Sequence, residues 1–133
     1  MENKGYTVLD VTENKDYQFI DVDFLVTSPT GEKRAIEVKW DYKIHKTKNM
    51  FLELANKNSI QWGCEGWWLH CKADYLAYGD AISGKFYIFP LLDLRERVEH
   101  LPQNIVSCGT DSVANLVPLS CVKDIYVVEE GLL

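Results

Sequence analysis

Long apolar runs are missing from this sequence. None approaches the roughly 20 residues that a helix needs to cross a bilayer, and the start, Met1-Glu2-Asn3-Lys4-Gly5, lacks the basic and apolar regions of an export signal. A cytoplasmic location is therefore expected. Cysteine is sparse as well: Cys64, Cys71, Cys108 and Cys121 form no CxxC pair, and His45, His70 and His100 are scattered, which argues against a zinc site. Without an export signal these cysteines are expected to be reduced and mostly buried. There is no Gly-rich phosphate loop and no Ser-His-Asp or Cys-His spacing. No repeat or Pro/Gly/Ser-rich linker divides the chain, so residues 1–133 are read as one domain.

Positive charge is also short. Fourteen Lys and Arg stand against twenty Asp and Glu, a net charge of −6. That weighs against a protein that grips duplex DNA over many phosphates, because counterion release supplies much of such affinity. Acids gathered around a bound cation would be neutralised locally, so net charge alone does not exclude a nucleic-acid partner. Seven of the fourteen basic residues (Lys33, Arg34, Lys39, Lys43, Lys46, Lys48 and Lys57) fall between positions 33 and 57. They form either a solvated face or a phosphate-facing one.

What is present is enough for a folded core: 47% of residues are apolar and the aromatics are spread along most of the chain. Alternation predicts strands over residues 6–12, 17–27 and 34–40, with a polar turn at 13–16 and a Ser28-Pro29-Thr30-Gly31 turn. A helix is expected over residues 50–58, and strands over 66–70, 75–78 and 85–90. An amphipathic helix should follow over 91–101, then short edge strands over 114–117 and 125–128. The fold class is α/β, with strands dominating the middle of the chain.

The 17–27 and 34–40 strands carry the chemistry. In the first, Ile20, Val22, Phe24 and Val26 are read as one face, with Gln18, Asp21 and Asp23 on the other. In the second, Ile36, Val38 and Trp40 oppose Glu37 and Lys39. A tight turn between them sets Asp23 opposite Glu37 and Asp21 opposite Lys39, converging up to three carboxylates and one ammonium on one patch of sheet. Such carboxylates raise one another's pKa, and one lysine cannot neutralise three. A magnesium ion, commonly held by one or two carboxylates with water and phosphate completing its shell, would. The lysine would orient or help deprotonate a water and balance charge on phosphorus. The plainer reading is an exposed acid-rich sheet face with a cross-strand lysine, whose ion pairs add only a fraction of a kcal/mol.

Ile20-Asp21-Val22-Asp23-Phe24-Leu25-Val26, a turn, then Ala35-Ile36-Glu37-Val38-Lys39 resembles the PD-(D/E)XK phosphodiesterase superfamily. That group includes type II restriction endonucleases, archaeal Holliday-junction resolvases and small phage-encoded nucleases. Downstream, Thr47-Lys48-Asn49-Met50-Phe51-Leu52-Glu53 is similar to the Thr-Gly-Asn, apolar, Glu segment of the small phage-type members. Gly66-Trp67-Trp68 and Ala73-Asp74-Tyr75 resemble the strands that follow it there. Lys48 stands where those relatives usually have Gly. The N-terminal acidic helix of many relatives has no clear counterpart.

The resemblance implies a restriction-endonuclease-like central mixed β-sheet flanked by helices, and Mg2+-dependent (or Mn2+-dependent) hydrolysis of phosphodiester bonds in DNA, duplex or branched. It makes Glu37 a metal ligand, Lys39 the catalytic lysine and Asp21 or Asp23 the first ligand. The hairpin register favours Asp23, and a β-bulge would transfer the role to Asp21. Glu53 is an outer carboxylate or an ordinary helix acid. Gln18 either contacts metal-bound water or sits at the sheet surface. Lys43, Lys46 and Lys48 are the substrate-facing candidates, and a homodimer is expected. Trp62, Trp67 and Trp68 could stack on unpaired bases, but core packing is the expectation for the group. The alternative to an enzyme is a nuclease-fold binding module, such as a phage protein acting on host proteins.

Overall fold

The computed structural model describes residues 5–58, 63–109 and 111–130. Its elements are β1 (Thr7–Asp10), α1 (Lys15–Phe19), β2 (Phe24–Thr27), β3 (Lys33–Asp41), α2 (Ile44–Thr47), β4 (Asn49–Asn56), α3 (Trp67–His70), β5 (Tyr75–Asp80), β6 (Phe86–Pro90), α4 (Leu91–Glu99), β7 (Ile105–Cys108), β8 (Ser112–Pro118) and β9 (Val127–Glu129). Six strands form one mixed sheet in the order β1-β2-β3-β5-β6-β9, and β4-β8-β7 form a second, antiparallel sheet. β3 and β5 run parallel, Ile36 beside Tyr75 through Asp41 beside Asp80. The other pairs in the large sheet are antiparallel.

Alternation sorts the side chains of the large sheet between its two faces, and helices and the small sheet pack against one of them. Val26, Ile36, Ala77 and Phe86 pack together, with Phe24, Val38, Tyr75 and Ile88 against them. The opposite side chains, among them Leu76, Tyr78 and Phe89, join the larger core made with Met50, Leu52 and Val117 of the small sheet, Trp67 and Trp68 of α3, and Leu91, Leu94 and Val98 of α4. Glu37 lies between Ile36 and Val38 in β3 and so points to this larger core's side. That placement, not an open sheet face, is why it is buried.

Several expectations fail, some for local reasons and some because distant partners decide. The strand expected over 17–27 begins only at Phe24, because Asn14 accepts a hydrogen bond from Asp16 N and caps helix α1. Asp21 then takes a left-handed φ of 58°, which breaks the alternation. Val22 consequently joins the larger core and Phe24 and Val26 the smaller one, so they do not share a face.

The helix expected over 50–58 is strand β4, pairing Met50 with Val117 and Leu52 with Asn115. A short apolar run is ambiguous by periodicity, and here the distant partner β8 decides. The strand expected over 66–70 is the one-turn helix α3, in which Trp67 and Trp68 are both buried. Arg95 holds it by donating to Trp68 O at 2.5 Å and Cys71 O at 2.7 Å. β8 is the centre of its sheet rather than an edge, flanked by β4 and by β7, a strand that was not expected. Cys71 is buried, but Cys64 and Cys121 are exposed, contrary to expectation; all three are free thiols. Trp62 lies outside the described residues. Among those residues no helix is long and apolar enough to cross a membrane.

Candidate metal centre

Asp21, Asp23, Glu37 and Lys39 do come together, by a route other than simple strand pairing. The β2–β3 ladder has the expected register, Phe24 opposite Ile36, but stops there. Asp23 continues it through its backbone N–H, which donates to Ile36 O at 3.0 Å, and through its side chain. Its Oδ2 accepts from Val38 N at 2.9 Å, and Glu37 Oε1 accepts from the same N–H at 2.9 Å. One backbone donor thus draws two carboxylates together. Asp21 arrives from the left-handed turn after α1, with Oδ2 3.0 Å from Lys39 Nζ. Glu37 Oε2 is 3.7 Å from the same ammonium.

The centre is largely closed. Glu37 is 2% exposed, and the Asp21 and Lys39 side chains 13% and 25%. Asp21 Oδ2 and Glu37 Oε2 are buried without a hydrogen-bond donor in proper geometry. Lys39 Nζ donates to Asp21 Oδ1 at 3.3 Å, whereas its contacts with Asp21 Oδ2 and Glu37 Oε2 are ionic rather than directional, because a close N–O distance alone is not a hydrogen bond.

Burial, then hydrogen bonding with Asp21 and Asp23, pushes the Glu37 carboxyl from 4.5 up to about 12, against the opposing charge of Lys39. Burial works against the Lys39 ammonium, but the charges of Glu37 and Asp21 outweigh it and raise its pKa. Lys39 is therefore protonated at neutral pH, and its Nζ also lies over the Trp67 ring, 5.1 Å from the centroid.

Cys71 is a member that the sequence reading missed. One ligand atom each from Asp21, Glu37 and Cys71 lies within 4.8 Å of the others. Burial pushes its thiol up to about 11, so it stays an S–H at neutral pH and hydrogen-bonds to Asp21 O at 3.3 Å. It holds the Asp21 turn in place. No spacing rule links positions 21 and 71; the contact arises only because α3 crosses under the sheet.

The other expected site residues lie elsewhere. Glu53 is on a strand, not a helix, and accepts from Asn56 Nδ2 at 3.2 Å and Ser112 Oγ at 3.4 Å. It is not in the metal-ligating group found among the described residues. Gln18 is exposed on α1, with Nε2 donating to Thr12 O at 2.7 Å, so it fastens the helix to its own N-terminal turn. Lys43, Lys46 and Lys48 are exposed around α2. Lys48 ends that helix at a φ of 58°, which is the conformation for which a Gly would be suited.

Of these lysines, Lys43 lines an open groove of about 580 Å3 that also takes in Lys39, Trp40, Tyr42, Phe51 and Trp67. Its floor is pinned by Tyr78, whose hydroxyl donates to Asp41 Oδ2 at 2.5 Å and accepts from Phe51 N at 2.8 Å. Asp41 Oδ1 in turn accepts from Lys43 N at 2.7 Å. No family model, curated protein or solved structure matches the chain.

Chemically, the centre has an excess of negative groups over positive ones, at a place where water cannot dilute the imbalance. The unmet carboxylate oxygens call for either a proton on Glu37 or a cation. A small divalent ion with oxygen preference suits Asp21 and Glu37, which belong to the metal-ligating group among the described residues; Asp23 lies beside them but outside that group, its Oδ2 accepting from Val38 N. A neutral thiol is a poor ligand for such an ion, which leaves Cys71 in its structural role.

Proposed function

We propose that the protein is a metal-dependent nuclease of the PD-(D/E)XK kind, hydrolysing phosphodiester bonds in DNA, with Mg2+ or Mn2+ held by Asp21, Glu37 and Asp23. The observation that carries this reading is the pair of buried carboxylate oxygens, Asp21 Oδ2 and Glu37 Oε2, left without a hydrogen-bond donor beside an ammonium. When bound, the ion supplies Lewis-acid polarisation of the phosphate and a more acidic water.

The chain's own residues do the rest. With a cation bound, Glu37 would be ionised, because the ion would compensate its charge in the proton's place. Lys39, kept protonated by its neighbours, donates to phosphate oxygens and balances charge at phosphorus. It is not a base in the resting state. Asp23 holds Val38 N and so fixes the strand from which Glu37 and Lys39 project. One copy cuts one strand; cutting both strands of a duplex calls for a homodimer.

A second reading has one observation in its favour. With Glu37 only 2% exposed, the cluster also suits a binding module in which the centre is structural. Cleavage assays separate the two. Supercoiled, branched and single-stranded DNA are incubated with Mg2+, Mn2+ or EDTA, using wild type, Glu37→Gln and Lys39→Ala. The nuclease reading expects cation-dependent cleavage that falls by roughly 100-fold or more in both variants. Cleavage that survives Glu37→Gln, or none on any substrate, contradicts it.

A further inference from the structure

We infer that the groove beside Lys39 seats an unpaired nucleotide, so that the strand this protein acts on is single-stranded or frayed DNA rather than intact duplex. The inference rests on the nuclease reading for its chemistry, but the groove's own features carry the choice of substrate. Lys39 and Trp67 belong to both the centre and the groove, so the two are continuous. At about 580 Å3 the recess falls within the roughly 300–1,000 Å3 of sites that take small organic ligands, which suits a nucleoside and its phosphate.

The lining matches the parts of a nucleotide. Tyr42 is 73% exposed, an unusual investment of aromatic surface in water beside a charged centre. Stacking on a base would use it. Lys43 is exposed and forms no ion pair among the described residues, which leaves its ammonium for a phosphate. Asn49 makes no side-chain hydrogen bond among the described residues, so its amide can meet a base edge with both a donor and an acceptor.

Intact duplex fits poorly on two counts. Its base faces are stacked on one another and offer nothing to Tyr42. A chain with net charge −6 also has little to offer the long row of phosphates that duplex binding needs. An unpaired strand exchanges those phosphate contacts for stacking.

The test is fluorescence anisotropy of wild-type protein with a labelled ten-nucleotide thymidine strand and a labelled ten-base-pair duplex, in EDTA so that neither is cut. Tyr42→Ala and Lys43→Ala serve as variants, at exposed positions where folding is not at stake. The single strand should bind at least tenfold more tightly than the duplex. Tyr42→Ala should weaken it by roughly fivefold to a hundredfold, the loss of one base–aromatic stack, and Lys43→Ala should weaken it less at high salt than at low. Equal or tighter duplex binding, no binding of either, or an unchanged Tyr42→Ala would overturn the inference. Failure of the nuclease reading would look different: a Tyr42-dependent complex with the single strand that no added Mg2+ or Mn2+ converts to product.

Discussion

At Glu37 one residue carries two opposing demands. Its carboxyl must be neutral when no cation is present and charged when one is, and burial sets how strongly each state excludes the other. The consequence for stability has a definite sign. Because the folded pKa is raised from 4.5 to about 12, the stability that this group contributes is complete below about pH 4.5 and is lost as pH rises from there. Asp80 acts oppositely. Burial penalises its charge, but hydrogen bonds from Ser83 and Ile82 N–H groups and from His45 outweigh this and hold its pKa well below the ordinary 3.8. Its contribution is present above that value and lost as pH falls beneath it.

The metal-free protein should therefore be most stable near pH 4–5 and lose stability towards pH 9. The slope is at most about 1.4 kcal/mol per pH unit, the value for one proton. Thermal unfolding in EDTA across that range should show a falling Tm in wild type and a flatter profile in Glu37→Gln. A profile unchanged by Glu37→Gln would mean that the carboxyl is not held protonated.

The residues of this centre were largely legible in the sequence. Alternation in β3 put Glu37 and Lys39 on one side, and the hairpin register brought Asp21 and Asp23 to them, although the expected unbroken strand is interrupted at Asp21. The burial of Glu37 was not legible, since it comes from a second sheet and a short helix that the sequence reading did not foresee. Nor was Cys71, which reaches Asp21 only through α3.

Among the elements, those with their own strong pattern came through: β1, β3, β5, β6 and α4 lie close to where alternation or amphipathicity put them. The elements decided by distant partners did not. β4 depends on β8, and α3 depends on Arg95 and on close approach to β4. Gly66 marks that approach. A Cβ there would lie 2.3 Å from Glu53 O and 2.5 Å from Glu53 C, backbone atoms that cannot swing away. At Gly79 the nearest atoms, 2.8 and 2.9 Å away, are ring carbons of Trp40 and Phe86.

Gly66→Ala should consequently cost about 3 kcal/mol or more in chemical denaturation. Gly79→Ala should cost less, about 1–2 kcal/mol, because the rings have some room to shift. Equal costs would mean that the β4–α3 contact is looser than these distances imply. The same contact explains why a Gly-Trp-Trp run formed a buried helical turn rather than a strand.

For the molecule as a whole, charge decides what kind of grip on DNA is available. Fourteen cations against twenty anions leave only Lys39, Lys43 and at most one or two neighbours near the groove to meet phosphates. On a single strand, three or four such contacts give a slope of log affinity against log salt of about −2 to −3. A titration between low and moderate salt measures it directly, and a slope near −6 or steeper would point to a broad basic surface instead. The two-sheet arrangement also explains how an acidic protein can hold a centre of this kind: the larger core shields the carboxylates from water, and on the proposed reading a bound cation would supply the missing charge locally.

The most direct test of the central claim is calorimetric titration of Mn2+ into wild-type protein and Glu37→Gln, each in two buffers of different ionisation enthalpy. The account predicts binding by wild type with release of a proton, because the cation takes the place of the one on Glu37, and at least a tenfold loss of affinity in Glu37→Gln. Absence of binding, or binding that Glu37→Gln leaves unchanged, would contradict it and return the cluster to a purely structural role.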